Sequence, residues 1–173
     1  MAQATASRRA QLSDAGEIAR IYSEGIADRI ATFETEPRSR ADVEQVLRGL
    51  DARHPAVVVE RDGRVVAFAW TSTYRPRACY DLIAEFSVYV GREVRGSGCG
   101  REVLGALIDA AEAAGLHKLV SRVFPENTAS RALCRALGFR EVGTNVRHGQ
   151  LDGEWRDCVI VERLLGEAAR PTA

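Results

Sequence analysis

Between Val90 and Val103 the chain gives up regular apolar patterning for a run of glycines and charges, Arg95-Gly96-Ser97-Gly98-Cys99-Gly100. The run before it, Tyr80 to Val90, is rich in strand-forming residues. After it, Val103, Leu104, Leu107, Ile108 and Ala111 recur at helical spacing as far as Gly115, and Lys118 to Phe124 reads as a further strand. A strand, a glycine loop, a helix and a strand in that order would gather free backbone N–H groups at a helix N-terminus, which is a place for phosphate. Arg95 and Arg101 add local positive charge. The other reading of the loop is an ordinary turn.

Two known phosphate loops fail against these letters. A nucleotide triphosphate loop needs Gly-Lys-Ser/Thr, whereas Gly100 is followed by Arg101 and Glu102; a dinucleotide loop needs glycine or alanine where Arg101 stands.

The rest of the chain supplies the surrounding elements. A short strand is expected around Arg8 to Leu12. Asp14 can cap a helix carrying Ile18, Ile21, Tyr22, Gly25 and Ile26, and Ser39 a second one carrying Val43, Val46, Leu47 and Leu50, with Asp42 favouring its positive end. Thr32 to Pro37 has neither period and reads as a loop. Ala56 to Glu60 and Val65 to Thr73 flank Arg61-Asp62-Gly63-Arg64, whose Asp-Gly pair predicts a tight antiparallel hairpin. A last helix is expected from Thr128 to Leu137, ending at Gly138, followed by strands from Phe139 to Arg147 and Glu154 to Arg163. The order β-α-α-β-β-β-α-β-α-β-β predicts an α/β domain with a mixed sheet, flanked by helices, over residues 1–165, with a flexible tail at 166–173.

Charge and cysteine usage narrow the function classes. Lys plus Arg equals Asp plus Glu at 24 each, which leaves no overall field for a nucleic-acid backbone or an anionic membrane. The four cysteines form no Cys-x-x-Cys pair and the three histidines are scattered, so neither a disulfide framework nor a metal site is indicated. Met1 to Ala10 is polar and no apolar run approaches membrane-spanning length, which places the expected protein in the cytoplasm.

The loop resembles that of the Gcn5-related N-acetyltransferases, Arg/Gln-x-x-Gly-x-Gly/Ala, through Arg95, Gly98 and Gly100. The resemblance continues in Asn127-Thr128-Ala129-Ser130 with Leu133, Leu137, Gly138 and Phe139, whose plain reading is a capped amphipathic helix with a glycine stop. It is closest to the phosphinothricin, methionine sulfoximine and arsinothricin acetyltransferase branch. Ile21 to Ile26 with Thr32 to Pro37, Tyr74 to Tyr80, and Glu85 to Val90 carry that finer match.

The resemblance implies a Gcn5-related acyltransferase fold, acetyl-CoA as co-substrate, no metal, a small-molecule amine as acceptor, and a homodimer with Trp155 and Asp157 near its interface. It assigns the diphosphate of CoA to the loop (Arg95, Gly96, Ser97, Gly98, Cys99, Gly100, Arg101) and the pantetheine arm to the backbone of Val88, Tyr89 and Val90, with Asn127 and Ser130 nearby. Strand alternation puts Ile83, Glu85, Ser87 and Tyr89 on one face, and the resemblance makes Glu85 the general base. The residues alone leave Glu85 equally a structural partner of Arg75 or Arg77. Those arginines are either a substrate oxyanion clamp or a solvated basic loop, and Phe33 and Tyr80 either wall a substrate pocket or pack in the core. Cys134 stands where many members carry a tyrosine thought to protonate the departing thiolate; it is either that donor or inert packing. Acetylation of a peptide or protein N-terminus and a CoA-binding sensor without turnover are the rival functions.

Overall fold

This computed structural model describes residues 5–170; residues 1–4 of the polar N-terminal stretch and 171–173 of the expected tail lie outside them. The chain runs β1 (Thr5–Arg9), α1 (Ala15–Ala27), α2 (Arg40–Gly49), β2 (Ala56–Arg61), β3 (Arg64–Thr73), β4 (Ile83–Val90), α3 (Cys99–Ala113), β5 (Lys118–Val123), α4 (Thr128–Ala136), β6 (Arg140–Leu151) and β7 (Glu154–Leu164). The order of elements is the one read from the sequence. The strands form one sheet, β1-β2-β3-β4-β5-β7-β6, in which β4 and β5 are the parallel pair and every other pair is antiparallel.

The alternation along β3 and β4 divides the core into two layers. Ala67, Ala69, Ala84 and Phe86 face α3, which buries Val103, Leu104, Leu107 and Ile108 against them. Each such fully buried aliphatic side chain contributes roughly 1.5–3 kcal/mol of transfer free energy. Phe68, Trp70 and Tyr89 face the other way and pack with Ile18 and Ile21 of α1 and Val43 of α2. α2 begins as expected: the Ser39 hydroxyl accepts from the Asp42 N–H and the Asp42 carboxylate accepts from the Ser39 N–H, a reciprocal cap. The Asp62-Gly63 turn has both residues at positive φ, 50° and 75°, as a tight hairpin of this type requires.

Three local expectations are corrected. The first strand is Thr5–Arg9, because Leu12–Asp14 coil into a 3₁₀ turn. Asp14 does precede α1, but its side chain does not cap it: the carboxylate is taken by Arg8 at 2.8 Å and by the Gln11 N–H at 2.7 Å. Tyr80 lies in a turn, Ala78–Tyr80, closed by its N–H donating to the Arg77 carbonyl at 2.8 Å, so the strand that was to start there starts at Ile83. At the other end of the chain, Leu165 is buried and Gly166–Ala169 make a further 3₁₀ turn. Among the described residues no helix is long and apolar enough to cross a membrane.

Candidate active site

The site grows from a defect in the sheet. β4 and β5 pair over Ile83–Lys118, Ala84–Leu119 and Glu85–Val120 and then part company, β4 continuing on β3 and β5 on β7. Just past the last pair the Ser121 hydroxyl donates to the Phe86 carbonyl at 2.8 Å. Beyond it, the side of β4 that β5 has left presents backbone donors and acceptors without a neighbouring strand.

The glycine loop closes one end of this opening. Gly96 and Gly98 have φ of +73° and +91°, a region open to glycine and strained for other residues, and Gly98 is the residue from which α3 starts. The first N–H groups of α3 have no acceptor within the helix and carry its positive end. Gly100 sits so close to β4 and α4 that a Cβ there would meet Val90 at 3.4 Å and Leu133 at 3.3 Å. In front of the loop is a cavity of about 390 Å³. Of the residues expected to bind CoA, Val88, Tyr89, Val90, Arg95, Gly96, Gly98, Gly100, Arg101, Asn127 and Ser130 line it. The side chains of Ser97 and Cys99 do not. The Ser97 hydroxyl turns back to the Val94 carbonyl at 2.5 Å, and Cys99, the first residue of α3, is buried in the core, so any contribution from these two is through the backbone.

Two polar residues in the cavity wall are already engaged. The Asn127 side-chain oxygen accepts from the Ser130 N–H at 3.1 Å, capping α4, and its amide nitrogen donates to the Ile30 carbonyl at 3.2 Å. Asn127 therefore latches the segment after α1 onto the start of α4. Arg95 donates from Nε to the Val90 carbonyl at 3.2 Å and pairs with Asp28 at 2.8 Å.

A smaller notch of about 60 Å³, set in the parting of β4 and β5, adjoins this cavity: Val88, Tyr89, Asn127 and Ser130 line both. The notch is further lined by Ser87 and Phe86 of β4, Ser121 and Arg122 of β5, and Cys134 of α4. Burial pushes the Cys134 thiol up to about 11, with a smaller push from the nearby Glu141 carboxylate. The thiol therefore stays protonated at neutral pH. Tyr89, stacked on Phe68 at 5.3 Å between centroids, is likewise pushed up to about 12, by burial first.

Glu85 lines neither the cavity nor the notch; it lies on the last paired rung of β4 and β5, next to Phe86 and held by Arg122, both of which line the notch. Its side chain is 26% exposed, enough to meet a small molecule. Its partner is neither Arg75 nor Arg77 but Arg122, whose Nε donates to the carboxylate at 3.0 Å and whose terminal nitrogen donates to the same oxygen. Register explains this. Val120 lies beside Glu85, and Arg122, two residues on, shares its face.

The remaining expected substrate residues divide. Ser87 lines the notch. Phe33 packs edge-on to Phe124 at 4.9 Å, in a small cluster with Leu151 and Cys158, and lies over Gly149, where a Cβ would come within 2.8 Å of the ring. Arg75 and Arg77 are exposed, stacked over Tyr74 and Tyr80 at 5.3 and 6.0 Å, and line neither the cavity nor the notch. Tyr80 meets Tyr74 edge-on at 5.7 Å on the same loop. Sequence reasoning missed Arg122, Asp28 and Ile30. Arg122 has the parity of a strand neighbour of Glu85, but which strand lies beside which is not written locally.

Residues 19–139 match the acetyltransferase (GNAT) family. The chain is similar to the phosphinothricin N-acetyltransferase of Alcaligenes faecalis, 34% identical over 154 residues that cover 88% of this chain and 78% of that protein. It is 32% identical to the L-methionine sulfoximine/L-methionine sulfone acetyltransferase of Pseudomonas paraeruginosa over 91% of this chain and 93% of the relative. Among solved structures, a GNAT superfamily phosphinothricin acetyltransferase from Sinorhizobium meliloti in complex with AcCoA superposes with a TM-score of 0.87 at 31% identity, covering 97% of this chain and 93% of that one.

Proposed function

Because this chain belongs to the acetyltransferase (GNAT) family, we propose that it moves acetyl from acetyl-CoA to the α-amine of a small anionic amino acid of the phosphinothricin, methionine sulfoximine or sulfone, or arsinothricin type. Detoxification of such compounds is the biology this reading implies. The observation that supports it is the continuity of the glycine-loop cavity with the notch whose wall includes Arg122, the partner of Glu85. A diphosphate at the N-terminus of α3 would let an extended arm run along the uncovered side of β4 and bring a thioester into the parting of the strands.

The residues supply the chemistry as follows. An alkyl ammonium is not a nucleophile, so a proton must leave before the nitrogen can attack. Glu85 accepts that proton, directly or through a water, with Arg122 fixing the carboxylate in place. A backbone N–H of β4 polarises the thioester carbonyl. The new C–N bond forms as the C–S bond breaks, and the thiolate takes its proton from solvent or from the acceptor, since a thiol held near 11 is a poor donor to an ordinary thiolate. Arg75 and Arg77 are assigned to the acceptor's oxyanion. Their loop leads into β4 just ahead of Glu85, and forked guanidinium donors suit phosphinate, sulfone or carboxylate oxygens.

The even charge balance supports action on a small molecule rather than on nucleic acid or membrane, and a cytoplasmic location belongs to the same reading. A homodimer belongs to the same reading. β6 is an edge strand exposed along nearly its whole length, with Val146 at 71% and the neighbouring Trp155 at 56% exposure.

Thiol release from acetyl-CoA, followed across a panel of amino acids, their oxyanion analogues and short peptides, tests the proposal. Turnover should be confined to the anionic amino acids, and Glu85→Gln should lower kcat/KM by about 10²–10⁴-fold at neutral pH. Activity with peptides alone would transfer the site to a protein N-terminus. CoA binding without turnover of any amine would favour a sensor, and a fully active Glu85→Gln would remove Glu85 from the chemistry.

A further inference from the structure

A carboxylate lines a cavity that, in the reading above, receives a polyanion. Asp28 is the acid among the described residues that line it, and it points at the same arginine that the motif places beside the diphosphate. Its position at the end of α1 is equally out of pattern. Asp28 is the C-terminal cap of the helix, where the backbone dipole is negative and an acidic side chain is disfavoured.

The surrounding contacts account for its presence. Arg92 reaches Asp28 at 2.5 Å and Arg95 reaches it at 2.8 Å, so one carboxylate is shared by two guanidinium groups. One turn back on α1, the Glu24 carboxylate accepts from the Arg92 N–H at 2.9 Å, and Arg20, another turn back, pairs with Glu24 at 2.7 Å and Glu93 at 3.1 Å. α1 and its cap thereby carry a row of charges one turn apart, Arg20, Glu24 and Asp28, that fastens the segment entering the glycine loop. The last of these, Asp28, lines the cavity; its side chain is partly exposed, while the oxygen that meets Arg95 is buried. Asp28 is kept ionised, its acidity strengthened first by the hydrogen bond from Arg92, against a burial effect, and then by Arg95.

We propose that Asp28 sets the affinity of this chain for CoA by acting as an internal counter-ion of Arg95, which the incoming diphosphate must displace. On binding, the Arg95 to Asp28 ion pair breaks, an Arg95 to phosphate pair forms, and Asp28 keeps Arg92. Binding is therefore an exchange of anions rather than a simple gain. Affinity is lowered for substrate and product CoA alike, and release of the product is correspondingly faster. The inference rests on the cavity taking CoA.

Calorimetric titration of the whole protein with CoA, without amine, tests it. Asp28→Asn preserves shape while removing charge, and should bind CoA about tenfold more tightly at low ionic strength, with the advantage shrinking as salt is added. Arg95→Gln should weaken binding, and the gain should vanish in the Asp28→Asn/Arg95→Gln double variant, as coupling between the two requires. Asp28→Thr, with melting temperature checked beside the wild type, guards against a folding artefact. Unchanged or weaker binding in both folded variants would make Asp28 a brace for Arg95 and overturn the proposal, as would a gain that survives without Arg95. Failure of the wild type itself to bind CoA would sink the cofactor assignment, and this inference with it.

Discussion

Cys134 illustrates how far a single side chain can be read. Its position in the notch invites a role as proton donor, but the neighbours that place it there also bury it, and burial holds the proton on sulfur. Cys134→Ala is expected to lower kcat by less than about tenfold, whereas loss of a true general acid costs about 10²–10⁴-fold; the pH profile of kcat in the variant separates the two. The residues that sequence placed correctly are those whose demands are local. Gly98 is legible because a positive φ at the foot of a helix favours glycine, and Glu85 because strand alternation sets its face. Those it misplaced depend on partners that the local pattern does not name. Asp14 was available as a helix cap until Arg8 was brought to it by the first strand, and the partner of Glu85 is on β5, 37 residues away.

At the scale of elements, the helices and the Asp62-Gly63 hairpin follow from periodicity and turn chemistry, while the parting of β4 and β5 follows from neither. Both strands look regular by themselves. Their separation emerges when β4 is retained by β3 and β5 by β7. The hairpin of β6 and β7 shows a similar dependence, since its register shifts between Asn145 and Gly149 and Phe33 occupies the space over Gly149. Gly149→Ala places a methyl within 2.8 Å of the Phe33 ring, and overpacking of this kind costs about 1–3 kcal/mol. A lower midpoint in urea with an unchanged slope is the expected result. Retention of full stability would mean that the segment carrying Phe33 yields without cost.

For the whole molecule, the fold class was legible and the assembly was not. A mixed sheet can be counted from its strands, but an interface needs surface, and surface is known once the edge strand is identified as β6. Sedimentation velocity should give the mass of a dimer, and Val146→Lys, which sets a charge on the most exposed apolar position of that edge, should shift the protein toward monomer. A monomeric wild type across the micromolar range would remove the homodimer from the proposal.

The three-rung union of β4 with β5 has a mechanical consequence. Laterally the sheet is two panels hinged at a short seam, one carrying Glu85 and the other Arg122, and the pair they form is a stitch at the head of the tear. The room proposed for the ligand and the narrowest join in the architecture are thus the same feature, so whatever tightens or loosens that stitch would act on the rigidity of the scaffold and, in the proposed reading, on the chemistry together.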